Sequence, residues 1–241
     1  MTVFLEESGS GDPTLVLLHG LGATGAVWGP IVEELGPDRS VVVTDLPGHG
    51  QSGWLDSYGW EEMGRTLSRA IPGRELLVVG HSFGGAIGIA LATVDPRVRG
   101  LVAMSIKVVW NEADLARAAA IAEAGVRWFD TEPVALERFE KVAGLSEHAD
   151  PQLRARAVVE ESSRFRLAQD PATNAAGPPP LQWLAQLRIP ITMICGEYDS
   201  MVTGAQLSEW CSTVEVWEGV GHHPHLERPY RLVQLVKSFS L

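Results

Sequence analysis

The chain has 241 residues, of which 45% are hydrophobic, so it can bury a full core, and we expect a single domain over residues 1–241. Its formal net charge of −11 argues against nucleic acid or an anionic membrane as a partner, because both select clustered lysine and arginine. The first residues carry neither a basic leader nor a long apolar stretch, and no segment reaches the length of a membrane span, which predicts a cytoplasmic protein. Cys195 and Cys211 are expected to be reduced packing residues, and no cysteine or histidine spacing indicates a metal site.

Short apolar runs recur along the chain, and most end in Gly, Asp, Ser or Pro. In order they are TLVLLHG, SVVVTDLPG, ELLVVG, VRGLVAMS, PITMICGEYD and STVEVWEG, with TVFLEES as a weaker candidate at the start. Apolar runs without alternation predict strands that are buried on both faces, as in a parallel sheet. Segments compatible with helices lie between them, at residues 28–35, 60–70, 85–93 and 205–211. This alternation predicts an α/β fold, with a mostly parallel central sheet of about seven or eight strands flanked by helices.

The alternation stops between residues 105 and 189. Three helices are predicted there, beginning after Asn111, Thr131 and Asp150, the last with the sequence PQLRARAVVEESSRF. The turn-rich segment DPATNAAGPPPLQW then leads back to the sheet. We therefore expect a helical insertion over residues 106–187 that lies over the sheet.

The stretch VVGHSFGGAIGIALA places Ser82 between Gly80 and Gly84, after a predicted strand and before a predicted helix. A turn this tight forces its middle residue into a strained backbone conformation and leaves no room for a neighbouring Cβ atom. Such strain is explained if Ser82 must project its hydroxyl group into a cleft. The alternative is a glycine turn with no chemical role. The context of strand, turn and helix favours Ser82 as a nucleophile, with the backbone N–H of Phe83 as an oxyanion donor.

A serine nucleophile needs a base, and the base needs an acid that orients it. Asp199 follows the predicted strand PITMICG, and His222 follows the last predicted strand, in GHHPHLERP. Because functional groups of parallel sheets gather at the carboxyl ends of strands, all three residues can meet. Glu197 competes with Asp199 for the role of the acid, and His223 is the second candidate for the base.

The chain resembles the α/β-hydrolase superfamily over nearly its whole length. The motifs that carry the resemblance are LLHGLG, DLPGHGQS, GHSFGG, GEYD and GHHPHLERP. The resemblance implies a Ser-Asp-His triad of Ser82, Asp199 and His222, and a helical lid inserted after the sixth strand. It also implies that the N–H of Leu21 is the second oxyanion donor and that His19 holds the oxyanion loop. His223 and His225 are expected to be helix-entry or surface residues, and Glu227 to fix their turn. Neither a metal nor an organic cofactor is implied.

The sequence therefore predicts a serine hydrolase that cleaves a carboxylic ester of a small or medium apolar substrate through an acyl-enzyme. The tryptophans expected to contact the substrate are Trp28, Trp110, Trp128 and Trp183. The same triad also serves lactonases, carbon–carbon bond hydrolases, amidases, acyltransferases and cofactor-free haloperoxidases or perhydrolases. A small-ligand receptor with little turnover is the alternative outside enzymes. The oligomeric state does not follow from the sequence.

Overall fold

A computed structural model describes residues 2–148 and 150–239. Its central sheet has seven strands in the order β1-β3-β2-β4-β5-β9-β10. Their bounds are β1 Leu5–Ser8, β2 Thr14–Leu18, β3 Val41–Thr44, β4 Leu76–His81, β5 Val98–Met104, β9 Ile191–Gly196 and β10 Val214–Trp217. Only β1, at one edge, runs antiparallel to its neighbour; all other pairs are parallel. The α/β fold and its mostly parallel sheet are confirmed.

Helices cover both faces of the sheet, which explains why the central strands are apolar without alternation. The helices outside the insertion are α1 Gly29–Leu35, α2 Trp60–Ala70, α3 Phe83–Val94, α6 Gly204–Ser208, α7 Pro224–Glu227 and α8 Pro229–Ser238. On one face, α1 and α8 pack against alternate strand residues such as Leu15 and Val79. On the other face, α2, α3 and α6 pack against the intervening residues, such as Val16 and Val78. None of the described helices is both long and apolar enough to cross a membrane.

The segment between β5 and β9 contains more than helices. Its elements are α4 Glu112–Ala124, β6 Trp128–Phe129, α5 Glu132–Ala143, β7 Val158–Glu161 and β8 Arg164–Leu167, with 3-10 turns at Pro151–Arg154, Pro171–Ala176 and Leu181–Gln186. The helices predicted after Asn111 and Thr131 are present. The three short strands form a separate antiparallel sheet in the order β6-β8-β7.

The third predicted helix, after Asp150, is wrong. Asp150 caps only a single 3-10 turn, by accepting a hydrogen bond from the N–H of Gln152. The chain then forms the β7–β8 hairpin, in which Ser162 and Ser163 both have positive φ angles, of 51° and 63°. Two consecutive residues in this conformation turn two strands back on each other and cannot continue a helix.

The insertion follows the fifth strand of the sheet in chain order, whereas the resemblance implied the sixth. The reason is that the sheet has seven strands, the lower of the two numbers expected. Asp199 and His222 accordingly follow the sixth and seventh strands of the sheet, β9 and β10.

Candidate active site

Ser82 occupies the turn between β4 and α3, with φ 50° and ψ −112°. A Cβ atom at Gly80 would collide with the main chain of Gly84, and one at Gly84 would collide with the carbonyl oxygens of Leu18 and His19. The two glycines are therefore required by close backbone approach. The Ser82 side chain makes no capping hydrogen bond to α3 and lines a cavity of about 360 Å³. The hydroxyl group is thus available to a molecule in that cavity.

His222 and Asp199 are in direct contact, although they lie on loops after different strands. Their side chains meet at His222 Nδ1 and Asp199 Oδ1, 2.9 Å apart. Asp199 Oδ1 also accepts a hydrogen bond of 2.9 Å from the N–H of Met201. The Asp199 carboxylate is fully buried, whereas a fifth of the His222 side chain is exposed. Because Nδ1 of His222 is hydrogen-bonded to Asp199, Nε2 is the nitrogen that can accept or donate a proton in a reaction.

Asp199 is held in its ionised form. Burial raises the pKa of Asp199, but the hydrogen bond and charge of His222 and the N–H of Met201 outweigh burial, so its pKa lies below the ordinary value. Ser105 adds to this lowering of the Asp199 pKa. Ser105 Oγ and Asp199 Oδ2 are both buried, and neither has a hydrogen-bond partner within normal distance and angle among the described residues. Asp199 is therefore an anion that can orient the imidazole of His222 and stabilise its protonated form.

Ser82 and His222 line the same cavity. Within the described part of the chain no hydrogen bond joins their side chains. They are instead linked through His81, whose Nε2 donates to the main-chain carbonyl of His222 over 2.8 Å. The structure thus brings all three residues of the expected triad to one site and joins the acid to the base.

The two expected oxyanion donors, Leu21 and Phe83, also border this cavity. Neither backbone N–H has an acceptor within residues 2–148 and 150–239, whereas the next N–H, of Gly22, donates to His49 Nε2. Phe83 is the first residue of α3, where backbone N–H groups have no partner in the helix and the helix dipole favours negative charge. Two free donors that border the same cavity as Ser82 can hold a developing oxyanion.

His19 fixes the loop that carries Leu21. Its Nε2 accepts a hydrogen bond of 2.9 Å from the N–H of Leu46, and its Nδ1 donates to the carbonyl of Gly20 over 2.8 Å. Burial lowers its pKa to about 4, so it is neutral at pH 7. Both ring nitrogens are in use, which agrees with a positioning role for His19.

Of the four tryptophans expected to contact the substrate, only Trp110 lines the cavity. Trp28 is fully buried and packs against the ring of His225, with centroids 4.7 Å apart. Trp128 lies in the small sheet, under the guanidinium group of Arg164. Trp183 packs against the core beneath α3 and borders a different, open surface pocket. These three tryptophans do not border the cavity that Ser82 lines, because each is held by contacts elsewhere.

Trp60 and the Phe83 side chain line the cavity and were not predicted. Phe83 could have been inferred, because it follows Ser82 at the mouth of the turn. Trp60 begins α2, and nothing local in the sequence shows that this end of the helix faces the site.

His223 and His225 are buried, so the expectation that they lie on the surface is wrong, although His223 does immediately precede α7. Both line the cavity. Glu227 holds this turn as expected, by accepting hydrogen bonds from the backbone N–H groups of Gly221 and His223, at 2.8 and 3.1 Å. These bonds direct the two histidine rings inward, toward His81.

The chain was compared with known proteins by sequence and by structure. Residues 15–235 match the model of the alpha/beta hydrolase family. The chain is 27% identical to a pimeloyl-[acyl-carrier protein] methyl ester esterase of Yersinia pseudotuberculosis, over 96% of this chain and 95% of the relative. It is 28% identical to a 2-succinyl-6-hydroxy-2,4-cyclohexadiene-1-carboxylate synthase of Yersinia pestis, over 94% and 87% of the two chains.

Solved structures show the same architecture. E-2-(acetamidomethylene)succinate hydrolase superposes with a TM-score of 0.80 at 21% identity, over 98% of this chain and 93% of the other. An esterase of Mycobacterium tuberculosis superposes with a TM-score of 0.75 at 25% identity, over 98% and 90%. Because the family model covers most of the sequence, the chain belongs to the alpha/beta hydrolase family.

Proposed function

We propose that this chain is a serine hydrolase that cleaves carboxylic esters of small or medium apolar substrates through an acyl-enzyme. The observation that carries the proposal is that the strained Ser82 and His222, which is hydrogen-bonded to Asp199, open onto one cavity. Strain of this kind costs about 1–3 kcal/mol and persists where surrounding structure enforces it, commonly at active sites.

Each residue has one task in the proposed reaction. Ser82 Oγ attacks the ester carbonyl while His222 Nε2 takes the hydroxyl proton, and the N–H groups of Leu21 and Phe83 bind the resulting oxyanion. The tetrahedral intermediate collapses by breaking the bond to the alkoxy group, which leaves as an alcohol with the proton from His222. Water then attacks the acyl group, His222 takes its proton, and collapse returns that proton to Ser82 and releases the acid. The first attack requires the Ser82 hydroxyl to approach His222 Nε2 on substrate binding.

The walls of the cavity support an apolar substrate of modest size. Apolar side chains predominate, from Val27, Ala86, Ile106, Trp110, Val142 and Leu145. Lys107 and Lys141 also border the cavity, and each is paired with a carboxylate, of Asp114 and Glu137 respectively. An uncharged acyl group therefore fits this space better than an anionic one.

The segment 106–187 forms one wall of the cavity, and we assign it the role of a lid within a single domain. Ile106, Trp110 and Val142 belong to it, whereas Ser82 and Leu21 belong to the sheet side. A wall supplied by an insertion can exclude water and select substrates without changing the residues that carry the chemistry.

The relatives favour ester cleavage, since the methyl ester esterase aligns over nearly the whole chain. Relatives named for other reactions are also similar to this chain, so substrates must be compared directly. The test is a panel of nitrophenyl esters from acetate to decanoate, with a lactone, an anilide and a β-diketone, assayed on one preparation. We expect turnover to be fastest on short or medium esters. Ser82→Ala should lose at least about a thousandfold in kcat, and Ser57→Ala, on the exposed surface, should retain it.

Two results would overturn the proposal. Turnover by Ser82→Ala equal to that of the native protein would remove Ser82 from the chemistry. Cleavage of the diketone or the anilide with higher kcat/KM than any ester would assign another reaction class to the same residues.

A further inference from the structure

Three buried histidines meet at the cavity, and none of their rings serves as nucleophile, acid or base in the proposed ester hydrolysis. His81, His223 and His225 are exposed by 4%, 8% and 1%. One ring nitrogen of each lies within 4.8 Å of those of the other two. His81 is far from the other two in the sequence, so their spacing along the chain gave no sign of the cluster.

Hydrogen bonds to the backbone leave a lone pair on two of the rings. His81 Nε2 donates to the carbonyl of His222, so Nδ1 of His81 carries the lone pair. The ring of His223 hydrogen-bonds to the backbone of Gly144. Its Nδ1 atom is buried and has no partner among the described residues. A metal-binding histidine usually donates its other N–H to a backbone carbonyl or a carboxylate in this way.

In the part of the chain that the structure describes, His225 lacks hydrogen bonds at both ring nitrogens, whereas His223 lacks one at Nδ1 alone. Both of its ring nitrogens are buried and have no hydrogen bond within the described part of the chain. Leaving a buried polar group without a partner destabilises the folded state. A ligand that accepts the lone pair of the unprotonated nitrogen would supply one of the two missing partners.

We propose that His81, His223 and His225 bind one divalent transition-metal ion, of which Zn²⁺ is the representative. Three imidazoles without a carboxylate favour Zn²⁺, Co²⁺, Ni²⁺ or Cu²⁺ over Mg²⁺ and Ca²⁺, which prefer oxygen ligands. Tetrahedral Zn–N bonds of about 2.0–2.1 Å place ligand nitrogens about 3.3 Å apart. The ring nitrogens lie within 4.8 Å of one another, so the rings must move closer together when the ion binds. All three rings border the cavity, which supplies the entry path and a fourth, solvent ligand.

The test is isothermal titration of the tag-free, full-length protein with ZnCl₂ at pH 7.5, with MgCl₂ as the comparison cation. We expect one Zn²⁺ per chain and no binding of Mg²⁺. His225→Phe should weaken Zn²⁺ binding at least tenfold, since it removes a ligand, and the apolar ring suits the buried position beside Trp28. Cys211→Ser should bind Zn²⁺ as the native protein does, which excludes the half-exposed thiol as the ligand.

A Co²⁺ titration reports the ligands directly, through visible d–d bands of a tetrahedral site without thiolate charge-transfer absorption. Circular dichroism confirms that each variant is folded; if His225→Phe is not, His223→Gln carries the test with the same expected loss. Failure of the native protein to bind Zn²⁺, or undiminished binding by a folded variant, would overturn the proposal. In that case the three rings would be packing residues.

Discussion

His81 donates a hydrogen bond from Nε2 to the main-chain carbonyl of His222, with 2.8 Å between the two atoms. Since His81 directly precedes Ser82, this bond ties the turn after β4 to the loop after β10. The rings of His81 and His222 also touch edge to face, with centroids 5.0 Å apart. The distance from Ser82 to the imidazole of His222 is therefore set partly by a residue that does not itself react.

Removing this bond should slow the reaction without weakening substrate binding. A hydrogen bond of this kind contributes about 0.5–1.5 kcal/mol, so His81→Leu is expected to lower kcat about tenfold while KM changes little. His81→Gln keeps an N–H near the same place and should recover most of the rate. Steady-state kinetics on a nitrophenyl ester separate the two parameters. A rise in KM at constant kcat in His81→Leu would indicate a role in substrate binding instead.

Asp199→Asn should lower kcat by about 10³–10⁴, since the amide cannot hold His222 in the tautomer that leaves Nε2 free to accept a proton. The matched control is Glu197→Gln. Glu197 lies two residues earlier in the same loop and accepts a hydrogen bond from the N–H of Gly219 at the exposed surface. Its substitution is expected to change kcat less than threefold or so. An equal loss of kcat in the two variants would mean that kcat depends on the conformation of the loop and not on the Asp199 carboxylate itself.

The tryptophans give a second matched pair. Trp110 lines the cavity and is fixed there by a hydrogen bond of 2.9 Å from its Nε1 to the carbonyl of Lys107. Trp110→Ala removes apolar contact with the acyl group and should lower kcat/KM for a medium-chain ester about tenfold. Trp128→Ala, in the separate small sheet, should leave kcat/KM nearly unchanged. A larger loss in Trp128→Ala would place the substrate under β6 instead.

The buried histidines predict how stability depends on pH. The pKa values of His19 and His223 are about 4, and that of His49 about 3, all below the ordinary value of 6.5. As pH falls from 6.5 to about 4, the unfolded chain binds protons that the folded chain does not, so the free energy of unfolding decreases. Above pH 6.5 this contribution to stability is fully present. Urea unfolding at pH 7.5, 6 and 5 measures the decrease.

His225→Phe provides the control for that experiment. The pKa of His225 also lies well below the ordinary value, because of burial and its neighbouring histidines. Its removal should reduce the number of protons taken up on unfolding by about one between pH 6 and 5. An unchanged proton uptake would show that His225 titrates normally in the folded protein.

Much of the fold and the central residues could be predicted from the sequence, because the relevant signals are local. Apolar runs without alternation predicted the buried strands, and Gly80 and Gly84 predicted the tight turn at Ser82. The β7–β8 hairpin could not be predicted, since it depends on positive φ angles at Ser162 and Ser163, which no residue preference indicates.

The inward direction of His223 and His225 could not be predicted either. It follows from the bonds that Glu227 makes to their turn, and from packing against His81 and Trp28, which are distant in the sequence. Contacts between residues that are distant in the sequence form only when the chain folds. Such contacts also determine which tryptophans line the cavity.

The central claim is that Ser82 becomes covalently acylated, and trapping its adduct tests this claim most directly. The native protein would be treated with a fluorophosphonate, and the modified residue located by peptide mass spectrometry. We expect one phosphonyl group per chain, on Ser82, and none on Ser82→Ala under the same conditions. Labelling of another residue, or equal labelling of the two proteins, would contradict the account.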